Sequence, residues 1–231
     1  MTRLHVEEYG DGERTAVLIH GLSSSSATWQ RLVPELTRAG YRVLAPDLAG
    51  HGRSARTRYS RERWAEDLLE TLPAEPELAI GHSLGGVLLA MIAERLRPAR
   101  AIYADPAWYP WQGVGYGEAQ PAIRTAKGWS HADARAAHPQ WSDELVAARV
   151  AELGTWDPET THMDYLETAY VPVFPVVPSL IVRAGTSDLI APALADHFQD
   201  VGFTVRTVPS TGHFLHLDDH KGFVAALDGW V

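Results

Sequence analysis

The sequence predicts an α/β domain: a mostly parallel, doubly wound sheet with a helical segment inserted after its middle strands. Three observations predict it. Short apolar runs of strand length alternate with stretches of helical periodicity, the pattern of parallel strands joined by crossover helices that cover both faces of a sheet. The alternation stops at about residue 106 and resumes near residue 179. The run Gly81-His82-Ser83-Leu84-Gly85-Gly86 lies between a predicted strand and a long apolar helix.

In chain order, Leu4 to Tyr9 alternates like a strand and Asp11-Gly12 turns it back. Ala16 to His20 is a short buried strand. Trp29, Leu32, Val33 and Leu36 recur at helical spacing up to Gly40. Tyr41 to Ala45 is the next strand, and Trp64, Leu68, Leu69 and Leu72 mark a helix that stops at Pro73. Leu78 to Ile80, Leu84 to Leu96 and Ala101 to Ala104 read as strand, helix and strand. After the interruption, Leu180 to Ala184 is a strand, Pro192 to Phe198 a helix, Phe203 to Val208 a strand and Phe223 to Trp230 a closing helix.

The interrupted stretch predicts two units, a core of residues 1–105 and 178–231 and an inserted lid of residues 106–177. It holds Trp108, Trp111, Trp129, Trp141 and Trp156, together with Tyr109, Tyr116, Tyr165 and Tyr170. Gly113, Gly115 and Gly117 break its start, Pro172, Pro175 and Pro178 its end, and Asp143 to Leu153 reads as helix. Most of these aromatics are expected to fill the segment's own core, and Trp108 and Tyr109, next after a strand, to face a ligand.

The 231 residues, 45% hydrophobic, suffice for one full-size core. Twenty basic against 29 acidic residues give a net charge of −9, which argues against nucleic acid or an anionic membrane as partner and leaves a small molecule as the expected one. With no cysteine, disulfides and thiolate metal sites are excluded. The first eight residues lack the apolar core of a signal peptide and no apolar run would span a bilayer, so a cytoplasmic protein is expected.

The pattern G-x-S-x-G between strand and helix makes Ser83 a candidate nucleophile on a sharp turn, with the helix N-terminus favouring negative charge beside it. A serine hydroxyl needs a base. Of eleven histidines, His213 in Thr211-Gly212-His213-Phe214 follows the last strand, with His216 its nearest rival. The imidazole needs an acid to fix its tautomer. Asp188, in Gly185-Thr186-Ser187-Asp188, follows a strand and gives the chain order Ser83, Asp188, His213; Asp105 also follows a strand and competes with it. A tetrahedral intermediate needs backbone donors. Those expected are the N–H groups of Leu84 and Leu22, with Gly21 letting the backbone approach substrate closely. His20 and the turn Asp47-Leu48-Ala49-Gly50-His51-Gly52-Arg53-Ser54 are expected to be structural.

Taken together, His20-Gly21 with Trp29 downstream, the Asp47 to Ser54 turn, the Gly81 to Gly86 run, Asp188 and Gly212-His213 resemble the α/β-hydrolase superfamily over about residues 3–105 and 178–231. The nearest likeness is to small lidded esterases and to hydrolase-like enzymes of the biotin and menaquinone pathways. Val87 stands where the menaquinone group is expected to carry a basic residue. The resemblance implies a serine hydrolase of the α/β-hydrolase fold, acting on a carboxylic ester, thioester or lactone with an apolar or aromatic part, and needing no metal or organic cofactor. A serine nucleophile argues against epoxide hydrolase and haloalkane dehalogenase chemistry. Two alternatives keep the same residues: a non-hydrolytic reaction such as C–C cleavage, cyclisation or elimination, and a small-molecule receptor with little turnover.

Overall fold

The computed structural model describes residues 3–109, 123–161 and 169–231. Trp111, Gly113, Gly115, Tyr116, Gly117 and Tyr165, assigned above to the inserted segment, lie outside the described residues. Among the described residues, seven strands form one sheet: β1 (Val6–Tyr9), β2 (Arg14–Ile19), β3 (Tyr41–Pro46), β4 (Leu78–His82), β5 (Arg100–Ala104), β6 (Ser179–Ala184) and β7 (Thr204–Val208). Their spatial order is β1-β3-β2-β4-β5-β6-β7, with β1 antiparallel to β3 and every other pairing parallel. Helices among the described residues include α1 (Val33–Arg38), α2 (Arg61–Thr71), α3 (Leu84–Leu96), α4 (His131–Ala137), α5 (Asp143–Thr155), α6 (Pro192–Asp200), α7 (Leu215–Asp218) and α8 (His220–Ala226).

Side chains alternate across each strand, so the near-continuous apolar runs feed two cores. Val17, Ile19, Tyr103 and Ile181 point to the face covered by Trp64, Leu68, Leu88, Ile92 and Phe198. Ala16, Leu18, Ile102, Leu180 and Val182 point to the face covered by Trp29, Leu36, Phe223 and Leu227. Helix α3 is apolar on nearly all sides because it packs on the sheet and on its neighbours, with Leu88, Leu89 and Ile92 fully buried. Each such side chain contributes about 1.5–3 kcal/mol relative to an exposed one.

Boundaries differ from the sequence reading where capping or proline intervenes. The helix expected from Trp29 to Leu36 is split into a 3-10 turn, Ser26–Trp29, and α1, which carries a proline in its first turn. The closing helix starts earlier than expected, at His220, because the Asp219 carboxylate accepts from Gly222 N–H at 2.9 Å and caps it. Helix α4, missed in the sequence, is a short run with a reciprocal cap between Ser130 and Asp133.

The register aligns the carboxyl ends of the central strands. Ile19 pairs with Gly81, His82 with Ala104, Ala104 with Val182 and Ala184 with Val208. The loops after β2, β4, β5, β6 and β7 therefore emerge along one edge, where an α/β sheet places its site. The chain leaves the core after Trp108 and returns at Tyr170, whose N–H donates to the Trp108 carbonyl at 2.8 Å. Between these points, α4 and α5 lie against the same edge. Trp141 Nε1 donates to Asp218 Oδ1 at 2.7 Å, and Asp157 N–H to the Gly50 carbonyl at 2.7 Å.

Candidate active site

Ser83 is the residue between β4 and α3, with φ 53° and ψ −118°, a backbone conformation that non-glycine residues rarely adopt. The turn can be this tight because its neighbours lack side chains. A Cβ added to Gly85 would lie 2.2 Å from the Ile19 carbonyl oxygen. The strained turn lifts the Ser83 hydroxyl off the sheet edge, where His213 Nε2 stands 2.8 Å from Oγ.

His213 Nδ1 lies 2.7 Å from Asp105 Oδ2. Asp105, fully buried, also accepts from Ala184 N–H through Oδ1 at 3.4 Å, and its own N–H donates to the Val182 carbonyl at 2.8 Å. Since a carboxylate only accepts, the proton between Asp105 and His213 sits on Nδ1, and the lone pair of Nε2 faces the serine.

Asp188, expected in this position, is thereby corrected. It is exposed on the turn after β6, and the carboxylate that reaches His213 belongs to Asp105. The reason is strand adjacency. β5 pairs directly with the nucleophile's strand, and Asp105 is the first residue beyond β5, whereas Asp188 is four residues beyond a strand one position further away. His216, the rival base, is buried; its Nε2 lies 2.9 Å from Thr28 Oγ1, and burial, helped by nearby His213 and His220, pushes its pKa down to about 3.

Of the two expected backbone donors, Leu84 is the first residue of α3 and has no preceding helical turn to bond to. In the loop after β2, Ser24 N–H bonds to the Gly21 carbonyl and Ser23 N–H to His51 Nε2 at 3.2 Å, with Leu22 between Gly21 and Ser23. Gly21 lies against the elbow: an added Cβ would stand 3.0 Å from Ser83 Cβ and 3.1 Å from His82 Nδ1. His20 joins loops as expected, with Nδ1 2.7 Å from the Gly21 carbonyl and Nε2 accepting from Leu48 N–H at 2.9 Å. The Asp47 turn is structural too, its carboxylate accepting from Ser26 N–H and Arg53 N–H.

Trp108, expected to form a substrate wall, is also corrected. It is fully buried among Tyr103, Phe198 and Phe203, and its Nε1 donates to the Gly86 carbonyl at 3.3 Å. The chain turns inward after Asp105 before it leaves the core, so the first aromatic fills the sheet face and does not look outward. Tyr109 is half-buried against that core.

Three groups near the site escaped the sequence reading. His82 precedes the serine; its Nε2 donates to the His213 carbonyl at 2.8 Å, and its buried Nδ1 has no hydrogen-bond partner among the described residues. Burial, with His216 and His213 nearby, holds it well below the usual histidine range, hence neutral. Arg149 and Glu152, one turn apart on α5, are both buried against Ser23, Ser24 and Ser25. The run Ser23-Ser24-Ser25-Ser26 directly after His20-Gly21-Leu22 was the available signal for this contact. Among the described residues, no three His, Asp or Glu side chains are grouped to hold a metal ion, and no helix is long and apolar enough to cross a membrane.

Comparison with known proteins bears on the family and the fold. A family model described as the alpha/beta hydrolase family matches residues 16–226. N-formylmaleamate deformylase of Pseudomonas putida is 28% identical over a 252-residue alignment that covers 99% of this chain and 92% of that protein. The magnesium-chelatase 30 kDa subunit of Rhodobacter capsulatus is 36% identical over 104 residues; that match takes in 42% of this chain and only 36% of the subunit's length. Among solved structures, an N-formylmaleamic acid deformylase from Pseudomonas putida S16 superposes with a TM-score of 0.80 at 22% identity, covering 99% of this chain and 96% of that one. The chain belongs to the alpha/beta hydrolase family.

Proposed function

We propose that this hydrolase is a serine hydrolase, with Ser83 as nucleophile, His213 as general base and Asp105 as the acid that orients it. The observation that carries the reading is the continuous chain of short contacts, 2.8 Å from Ser83 Oγ to His213 Nε2 and 2.7 Å from His213 Nδ1 to Asp105 Oδ2. Ser83 Oγ attacks a carbonyl carbon as its proton passes to His213 Nε2. Asp105 holds Nδ1–H and stabilises the imidazolium that forms. The Leu22 and Leu84 N–H groups receive the oxyanion. His213 then gives its proton to the leaving oxygen or sulfur, and water, activated by the same imidazole, cleaves the acyl-enzyme.

The substrate is a small carboxylic ester, thioester or lactone with an apolar or aromatic part. An aromatic cluster beside His213 supports the apolar preference: Phe214 packs edge-on to His138 and Trp141, which stack at 3.8 Å. The segment of residues 106–177 is proposed as a lid over Ser83, with Tyr109 on its inner wall. A second reading, removal of a formyl group from an amide, follows from the nearly full-length likeness to N-formylmaleamate deformylase. Labelling by a fluorophosphonate, followed by a panel of esters, thioesters, lactones and formyl amides, tests both. Wild-type protein should be labelled and turn over one class; Ser83→Ala should be neither labelled nor active, a loss on the order of 10⁴-fold or more. A Ser83→Ala variant with near-normal turnover would remove the assignment.

A further inference from the structure

The loop that carries the proposed oxyanion donor Leu22 is fastened from two sides. From the core, His51 Nε2 accepts from Ser23 N–H at 3.2 Å and Asp47 Oδ1 from Ser26 N–H at 2.7 Å. From the inserted segment, α5 supplies a buried charge pair. Arg149 Nη1 donates to the Ser23 carbonyl at 2.6 Å and Nη2 to Ser23 Oγ at 2.9 Å. Glu152 Oε1 accepts from Ser24 Oγ at 3.1 Å, Ser25 Oγ at 3.0 Å and Ser25 N–H at 3.2 Å. The two charges lie 3.7 Å apart and are almost fully buried. Burial pushes the pKa of the Glu152 carboxyl up, and the Arg149 charge and the three acceptances at one oxygen work against that shift; the guanidinium satisfies two oxygens of a single residue.

That residue is strained. Ser23 has φ 58°, in the left-handed region that favours glycine. A serine there needs outside contacts to hold it, and Arg149 grips both its backbone oxygen and its side chain. Ser23 is the next residue after Leu22; its φ fixes how the Leu22–Ser23 peptide leaves Leu22, and with that peptide held, the adjoining Gly21–Leu22 peptide, which carries the Leu22 N–H, is held in its course past Ser83. Arg149 also places its guanidinium carbon 5.1 Å over the Phe214 ring, adjacent to His213.

We infer that Arg149 and Glu152 are positioning residues for catalysis: from the inserted segment, they hold Ser23 in its left-handed conformation and thereby aim the Leu22 N–H at the developing oxyanion. The inference rests on the serine hydrolase reading above. It makes the inserted segment part of the catalytic apparatus, because the donor is in place only while α5 is docked on the serine loop.

The test measures kcat and KM on an aryl ester, and the affinity for phenylboronic acid, whose tetrahedral adduct on Ser83 presents an anionic oxygen to the same donors. Arg149→Met, which keeps the length of the side chain and removes its donors, should lower kcat by about 10²-fold, the loss of one oxyanion donor, with KM unchanged. Boronate affinity should fall by a similar factor. Ser23→Gly in the Arg149→Met background should recover part of the lost kcat, because glycine adopts positive φ without help. A role confined to holding the fold together would give no such recovery. Arg149→Lys, which keeps the charge opposite Glu152 but lacks the two-pronged grip, supplies the same reading should the Met variant not fold, and should lie between it and wild type.

Arg149 variants with wild-type kcat, or a lowered kcat with unchanged boronate affinity and no rescue by Ser23→Gly, would overturn the inference while wild-type labelling at Ser83 left the hydrolase reading standing. Wild-type protein that neither reacts with fluorophosphonate nor binds boronate would overturn both.

Discussion

Replacing Asp105 by Asn tests the proposed acid at a single atom. Asp105 Oδ2 meets His213 Nδ1 at 2.7 Å and Oδ1 accepts from Ala184 N–H at 3.4 Å. An asparagine has one oxygen for these two positions. With its oxygen toward Ala184, the amide NH₂ faces Nδ1, which must then accept; the imidazole proton moves to Nε2 and no lone pair remains for the Ser83 hydroxyl. With its oxygen toward His213, two donors confront each other at Ala184 in a fully buried position. Either arrangement removes the base or strains its support, so kcat should fall by about 10⁴-fold, or about 5 kcal/mol of transition-state stabilisation. Asp188→Asn, an exposed change, should leave kcat near wild type. Steady-state hydrolysis of an aryl ester, with fluorophosphonate labelling rates for the same variants, reads both. A full-strength Asp105→Asn enzyme, or an equal loss in Asp188→Asn, would refute the assignment.

Two further outcomes follow from burial. Trp108→Ala should destabilise the fold by about 3–5 kcal/mol in urea unfolding, because the indole fills the space between Tyr103, Phe198 and Phe203; the ratio of kcat/KM for bulky and acetyl esters should stay the same, and a selective loss on bulky esters would return Trp108 to the substrate wall. His216 titrates at about 3 when folded and near 6.5 when unfolded, so its contribution is whole above about pH 6.5 and is lost as the pH falls, by about 2 kcal/mol at pH 5. His216→Gln should therefore lose about that much less stability than wild type between pH 8 and pH 5, and equal losses would show that His216 is already charged in the folded state.

The layout of the sheet was legible because its determinants are local. Strand and helix periods, the glycines at 81, 85 and 86, and a proline or glycine at most boundaries sit within a few residues of the features they produce. The observed helix Leu84–Leu96 has the limits its apolar run predicts. Ser83 and His213 were legible from local signals, Ser83 directly after β4 and His213 in the loop beyond β7, and the register brings those strand ends to one edge. The choice between Asp105 and Asp188 was not local. Both follow strands, and chain order favoured the wrong one. What decides it is that β5, not β6, lies beside β4, a fact of pairing order that no window of sequence contains.

Burial explains the other two gaps. Trp108 was placed by its position next after a strand, but a tryptophan goes where the most apolar area is available, and two phenylalanines about 90 residues downstream provide it. Arg149 and Glu152 look in sequence like an ordinary exposed pair on a surface helix, because charge at i and i+3 usually is one. Their burial depends on serines about 125 residues away, whose hydroxyl, N–H and carbonyl groups offer the partners that a buried charge requires. A tract of four serines is a poor core and a weak helix, so its presence next to a candidate oxyanion loop needed a reason. A charged pair arriving from a distant element supplies that reason: Arg149 and Glu152 hold the loop after β2 from α5, as His51 and Asp47 hold it from the core.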